Sequence, residues 1–265
     1  MRITIKLGGS VLEDAGIRNH LLLQVLALAG QGHEMIVVHG GGKSLSRRLS
    51  QLKMASRFIN GLRVTDAETL AVAIMVLAGE VNKKIVSELV GLGAQALGIC
   101  GADADAVRCL PVSDLPGYTA EIGFVGKPSH VNRSFFDLVL GSGLIPVVCS
   151  IALGPNGQLY NINADQMAAA CAWGTGSSAL IYLTDVPGVM DESGAVLNRI
   201  NRAEISQLRS RGILSGGMLP KTDSCLEALE AGVESVFILP GSSPDILLRF
   251  INKSLKEGTE IYANI

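Results

Sequence analysis

Short apolar segments of strand type alternate with segments of helix type along the whole of this chain, and that alternation admits few folds. The first segment, RITIKL (residues 2–7), sets Ile3, Ile5 and Leu7 against Thr4 and Lys6 with a period of two. Residues 35–38, 95–99, 145–148, 179–183 and 235–239 are short, mainly apolar runs of the kind found in strands buried on both faces. Helix-type stretches separate them at about 17–29, 134–140, 165–172, 203–209, 221–231 and 244–255. Thr65 and Glu68 make a capping box that opens a further helix reaching to about residue 90. Ser243 is placed to cap the last helix, with Pro244 at its first position. Strands alternating with helices predict an α/β fold: a mainly parallel sheet with helices on both faces, in three α/β/α layers. Residues 107–126, with Pro111, Pro116, Gly117 and Gly123, break the pattern and read as β-hairpins on the sheet edge, a lid or rim. Neither a repeat nor a linker divides the 265 residues, so one domain, 1–265, is expected.

Composition removes several function classes. A net charge of −2 without a long basic run argues against a nucleic-acid partner. The densest apolar run, Leu70 to Gly79, is too short for a bilayer, and the N-terminus lacks the apolar core of a signal peptide. A cytoplasmic protein with no membrane partner is the expectation. Five cysteines without a C-x-x-C pattern predict free, mostly buried thiols rather than disulfides or a metal centre, so no metal-ligating residues are assigned.

Glycine loops follow the first two strands: Gly8-Gly9-Ser10 and Gly40-Gly41-Gly42. Loops at the carboxyl ends of strands in open α/β sheets are where ligands bind, and glycines let backbone N–H groups approach an anion. The sequence VVHGGGKS is not a P-loop, because the position that needs the first glycine is Val37. Lys6 ends a strand expected to be buried, where an ammonium needs a counter-charge, the alternative being an edge lysine that snorkels to solvent. Lys221 lies in the first turn of a helix, against its dipole, which points to a nearby anion. NINAD (Asn161 to Asp165) offers amides and a carboxylate at another helix start, a helix cap and a ligand site being equally open. Arg63 has the chemistry of a carboxylate clamp, a solvated surface arginine being the alternative. GTGSSA (Gly174 to Ala179) follows a helix instead of a strand and is no dinucleotide fingerprint, and His39 reads as a satisfied core histidine.

The segments KLGGS, VVHGGG, NGLRVTD, VNKKIV, IPVV, NINADQ, LTDVPGV and GGMLPK stand in the order seen in the amino acid kinase family, which the chain resembles from Lys6 to Gly258. GLRVTD, NINAD and GGMLPK resemble the branch that acts on N-acetyl-L-glutamate. The resemblance implies the carbamate kinase-like fold, with an acceptor lobe over about 1–176 and a nucleotide lobe over about 177–265. It implies ATP with Mg²⁺, the metal carried by phosphate and water, and phosphorylation of the acceptor's side-chain carboxylate in arginine biosynthesis. By motif, Lys6 and Lys221 would neutralise the phosphoryl group in flight and Asp165 would hold both. Gly41, Gly42, Arg63, Asn161 and Asn163 fall to the acceptor, and Gly8 and Gly9 to the phosphates. Asp185, Val186, Gly188 and Met190, with Ile213, Leu214 and Ser215, fall to the nucleotide. Lys43 stands where relatives often carry proline, a change of surface charge. Relatives that form arginine-responsive hexamers have a helix before the first strand, and here that strand begins at residue 2. An arginine-insensitive homodimer, joined through the helix after Thr65, is therefore expected. A related acceptor, such as an aminoadipate derivative or glutamate, is the alternative within the family. A non-catalytic sensor is the alternative outside it.

Overall fold

The computed structural model describes residues 1–116 and 118–263, so Gly117 lies outside the described residues. Its centre is an eight-stranded sheet in the spatial order Arg199–Asn201, Thr259–Tyr262, Ser235–Pro240, Ala179–Thr184, Arg2–Leu7, Glu34–His39, Ile145–Cys149 and Ala96–Ile99. Strands from Ser235–Pro240 through Ala96–Ile99 are mutually parallel. Thr259–Tyr262 runs antiparallel to Ser235–Pro240.

The first strand is covered on both faces, which the alternating sequence did not require. Ile3, Ile5 and Leu7 enter one core with Val37 and Val147, while Val38, Leu180 and Tyr182 enter the core on the opposite face. The polar residues of the strand are buried because each finds a partner: Thr4 shares a hydrogen bond with Ser177, and Lys6 pairs with Asp165. Helices Ala15–Gly30 and Asn82–Gly91 cover the first face; Arg133–Gly141, Ala164–Thr175 and Met218–Glu230 cover the second.

Three local expectations are corrected. Residues 107–126 do bring two antiparallel strands together, but not on the edge of the central sheet. Val107–Pro111 and Val125–Val131 close a small four-stranded barrel with Ile151–Leu153 and Leu159–Ile162. Closure leaves no free strand edge. The helix after Thr65 is capped by Asp66, whose side chain accepts from the Thr69 amide at 2.7 Å. Thr65 is fully buried and donates its hydroxyl to the Arg63 carbonyl at 2.8 Å, so it cannot cap. The last helix spans Ile246–Ile251, after Asp245 in a left-handed conformation (φ 54°), and Pro244 stays in the preceding turn.

The long helix is continuous through a π-type segment, Met75–Val81, between Ala67–Ile74 and Asn82–Gly91. Such segments concentrate near functional sites. Here Leu77 and Val81 pack on Gly41, where a Cβ would lie 2.7 Å from Leu77 Cδ2. Among the described residues no helix is long and apolar enough to cross a membrane. Four cysteines are buried and Cys100 is partly buried, all as free thiols.

From Arg2–Leu7 the chain passes to Glu34–His39 on one side, and later returns beside it through Ala179–Thr184 on the other. A crevice opens at such a switch point, above the carboxyl ends of the strands.

Candidate active site

Lys6 and Lys221 converge on one carboxylate in this crevice. The Lys6 ammonium lies 2.8 Å from Asp165 Oδ1. That of Lys221 lies 3.1 and 3.0 Å from Oδ1 and Oδ2. Each of the three residues is 8% exposed. Asp165 is held at the start of its helix by Asn163, whose Oδ1 accepts from the amides of Asp165 and Gln166 at 2.8 and 3.3 Å. The capping role of NINAD is therefore real. Lys221 falls on the first turn of Met218–Glu230, which begins earlier than the sequence suggested, with its ammonium 5.0 Å from the Tyr182 ring centre. The Tyr182 hydroxyl in turn donates to the Asp165 carbonyl oxygen at 3.1 Å.

Burial alone would push the Asp165 carboxyl up, but the two ammoniums bring it down to about 2. Burial lowers the Lys6 ammonium; Asp165 opposes that shift and Lys221 adds to it. Two cations against one anion leave a buried surplus of positive charge, which an incoming anion would balance.

A cavity of about 510 Å³ lies beside the lysines. It brings together Lys6, Lys221 and Asp165 with Gly8 and Gly9, with Asp185, Val186, Gly188 and Met190, and with Ile213, Leu214 and Ser215. Thr184, Gly217 and Met218 also line it, beyond the residues expected from the sequence. Gly8 is needed for close approach: its amide donates to Leu183 O at 2.8 Å, and a Cβ would lie 2.5 Å from that oxygen. Asp185 is exposed and hydrogen-bonded to the Thr184 hydroxyl at 3.2 Å. Among the described residues no cluster of three metal-ligating side chains is present.

A second cavity, about 180 Å³, is lined by Gly41, Gly42, Arg63, Asn161 and Asn163, all named from the sequence. Phe58, Leu62, Leu77 and Val125 give it apolar walls, and Ser150 adds a hydroxyl. Ser150 had a readable signal: it follows a strand end, as the glycine loops do. The hairpin of Phe58–Ile59 and Leu62–Arg63, too short for a periodicity to register, brings in Phe58 and Arg63. Asn161 donates to Thr65 Oγ1 at 3.2 Å.

Arg63 is 8% exposed, and among the described residues its guanidinium is held by neutral groups. Nη1 donates to the Ser56 hydroxyl, Nη2 to Ser46 Oγ at 2.7 Å, and the carbon centre lies 4.7 Å from the Phe58 ring centre. Among the described residues no carboxylate lies within 4.0 Å of it, whereas buried Arg18 is paired to Glu88 at 2.6 Å. Burial accordingly lowers its pKa. Lys43 is exposed and, among the described residues, makes no ion pair within that distance.

The arrangement offers one cavity with an unpaired guanidinium, a neighbouring larger one, and converging lysines. It suits movement of an anionic group between two bound molecules. The profile of the amino acid kinase family matches residues 1–240. The acetylglutamate kinase of Koribacter versatilis (strain Ellin345) is 43% identical over 267 residues, covering all of both chains. The crystal structure of smu.665 from Streptococcus mutans UA159 superposes with a TM-score of 0.84 at 27% identity, covering 99% of each chain. Carbamate kinase from Giardia lamblia bound to AMP-PNP shares the fold, with a TM-score of 0.73 at 15% identity over 99% of this chain and 98% of that one.

Proposed function

The chain belongs to the amino acid kinase family, and from that premise we propose that it phosphorylates the side-chain carboxylate of N-acetyl-L-glutamate with ATP, giving N-acetyl-L-glutamyl 5-phosphate for arginine biosynthesis. The observation that carries the reading is Arg63, a buried guanidinium facing the smaller cavity with no carboxylate within 4.0 Å among the described residues. An uncompensated buried cation is costly, and a substrate carboxylate matches its bidentate geometry. The apolar wall of Phe58, Leu62, Leu77 and Val125 suits an acyl group, and Asn161 suits its amide.

The larger cavity takes ATP, its apolar side formed by Met190, Ile213, Leu214 and Met218 and its phosphate side by Gly8, Gly9 and the two lysines. The donor set fits magnesium carried in on the nucleotide: Asp165 is already engaged by both lysines, and Asp185 is the remaining carboxylate in the lining. Bound there, the ion would supply charge neutralisation on phosphate oxygens. The acceptor carboxylate, with an ordinary pKa of about 4.3, is already ionised at neutral pH, so no general base is needed. Lys6 and Lys221 neutralise charge on the phosphoryl group as it crosses, and Asp165 keeps their ammoniums converged. Positioning and electrostatics then do the catalysis, as in phosphoryl transfer generally.

On the same reading the lobes divide at about residue 176, with the acceptor on the N-terminal side. A homodimer forms across the helix of residues 67–91, where Met75 and Val90 are more than half exposed. Rates of ADP release with Mg-ATP and N-acetyl-L-glutamate, N-acetyl-L-aspartate, N-acetyl-L-aminoadipate or L-glutamate test the assignment. Acetylglutamate should be preferred by about two orders of magnitude in kcat/KM over glutamate, which lacks the acyl group. Preference for another acid would keep the kinase and change its acceptor.

A further inference from the structure

His39 and Asn82 take no part in the chemistry described so far, yet they form a buried hydrogen-bond chain behind the acceptor glycines. His39 ends its strand just before Gly40, and its side chain is fully buried. Its Nδ1 lies 2.8 Å from the Gly40 carbonyl oxygen. A carbonyl only accepts, so Nδ1 carries the proton and Nε2 presents a lone pair. Asn82 Nδ2 lies 3.0 Å from Nε2 and donates its other hydrogen to the Val147 carbonyl at 2.8 Å. Val147 fixes the amide's orientation, because the reversed amide would set two oxygens face to face. Gly98 makes room for this amide: a Cβ there would lie 2.0 Å from Asn82 Oδ1.

The consequence reaches the site through one peptide bond. In a trans peptide the C=O and N–H point to opposite sides, and the described chain holds no cis peptide. With the Gly40 carbonyl turned inward to His39, the Gly41 N–H is turned outward, and Gly41 lines the acceptor cavity. Among the described residues the Gly41 amide has no protein acceptor.

We propose that Asn82 and His39 are positioning residues for phosphoryl transfer: by holding the Nδ1–H tautomer they aim the Gly40–Gly41 peptide, so that the Gly41 amide donates to an oxygen of the phosphoryl group in flight. The inference rests on the carboxylate-kinase reading for what meets that amide; the hydrogen-bond chain itself does not.

Long-range ¹H–¹⁵N correlation on histidine-labelled protein reads the tautomer directly, and steady-state kinetics read its effect. Wild-type His39 should be protonated at Nδ1. Asn82→Leu removes the donor to Nε2 at similar volume; it should populate Nε2–H, shift the Gly41 amide resonance and lower kcat at least ~10-fold. KM for ATP should stay within about threefold, since Gly40 and Gly41 line the smaller cavity and not the larger one. Gly98→Ala displaces the amide without altering its chemistry, and provides the same readouts if the leucine variant fails to fold. An Nε2–H tautomer in the wild type overturns the proposal. So does a variant with an altered tautomer and full kcat, or one with lowered kcat and the tautomer retained. Absence of turnover with every acid, with wild-type Nδ1–H intact, instead overturns the functional reading and leaves the hydrogen-bond chain standing.

Discussion

Lys221 holds both carboxylate oxygens of Asp165, at 3.0 and 3.1 Å, although the residues are 56 positions apart. One lies in the first turn of Ala164–Thr175 and the other in the first turn of Met218–Glu230, so the contact locks two helix starts onto one point of the crevice.

Loss of Lys221 should therefore damage the reaction more than the fold. Lys221→Ala is expected to lower kcat by about two to three orders of magnitude, with KM for both substrates changed only a few-fold. The circular-dichroism spectrum should stay native. Initial-rate kinetics decide it, and an unchanged kcat would remove Lys221 from the mechanism.

Asp165→Asn strips the counter-charge from two buried ammoniums. Breaking one side of a buried ion pair destabilises by roughly 3–5 kcal/mol, so the urea midpoint should fall even before activity is considered. An unshifted midpoint would mean that the lysines find other partners.

Arg63 is oriented by Ser46 and Ser56, which hold the guanidinium without neutralising it. Arg63→Ala should raise KM for the acceptor by at least ~10-fold and leave KM for ATP unaltered. Ser46→Asp supplies the missing counter-charge in place of a substrate carboxylate. It should raise the acceptor KM further than Ser46→Ala does. Equal effects of aspartate and alanine would count against an electrostatic role for this guanidinium.

Stability should fall in two steps as the solution is acidified. Burial lowers the His39 pKa to about 4, from about 6.5 for a free imidazole, so between these values the unfolded chain binds the proton that the folded one refuses. That contribution is complete above pH ~6.5 and is lost as pH falls through about 4. Asp165, depressed to about 2, contributes above its unfolded pKa of about 3.8 and loses that contribution on approach to pH 2. Urea unfolding at a series of pH values should show both windows, and His39→Gln should flatten the first.

Much of the candidate site was legible because its residues stand where secondary structure alone would not want them. Lys6 ends a buried strand, Lys221 opposes a helix dipole, and glycine loops follow two neighbouring strands. What stayed hidden depends on contacts between distant segments. Strands of three and four residues, Ile151–Leu153 and Leu159–Ile162, carry too little periodicity to reveal a barrel. Thr65 looked like a cap until its burial left that role to Asp66. His39 is a satisfied histidine, as its sequence position suggests, but its partner Asn82 lies 43 positions away.

The most direct test of the central claim is hydroxylamine trapping during turnover with Mg-ATP, since an acyl phosphate yields a coloured hydroxamate. Strong hydroxamate with N-acetyl-L-glutamate, little with L-glutamate, and none from Lys221→Ala is the predicted result. ADP release without hydroxamate from any acid would contradict transfer to a carboxylate.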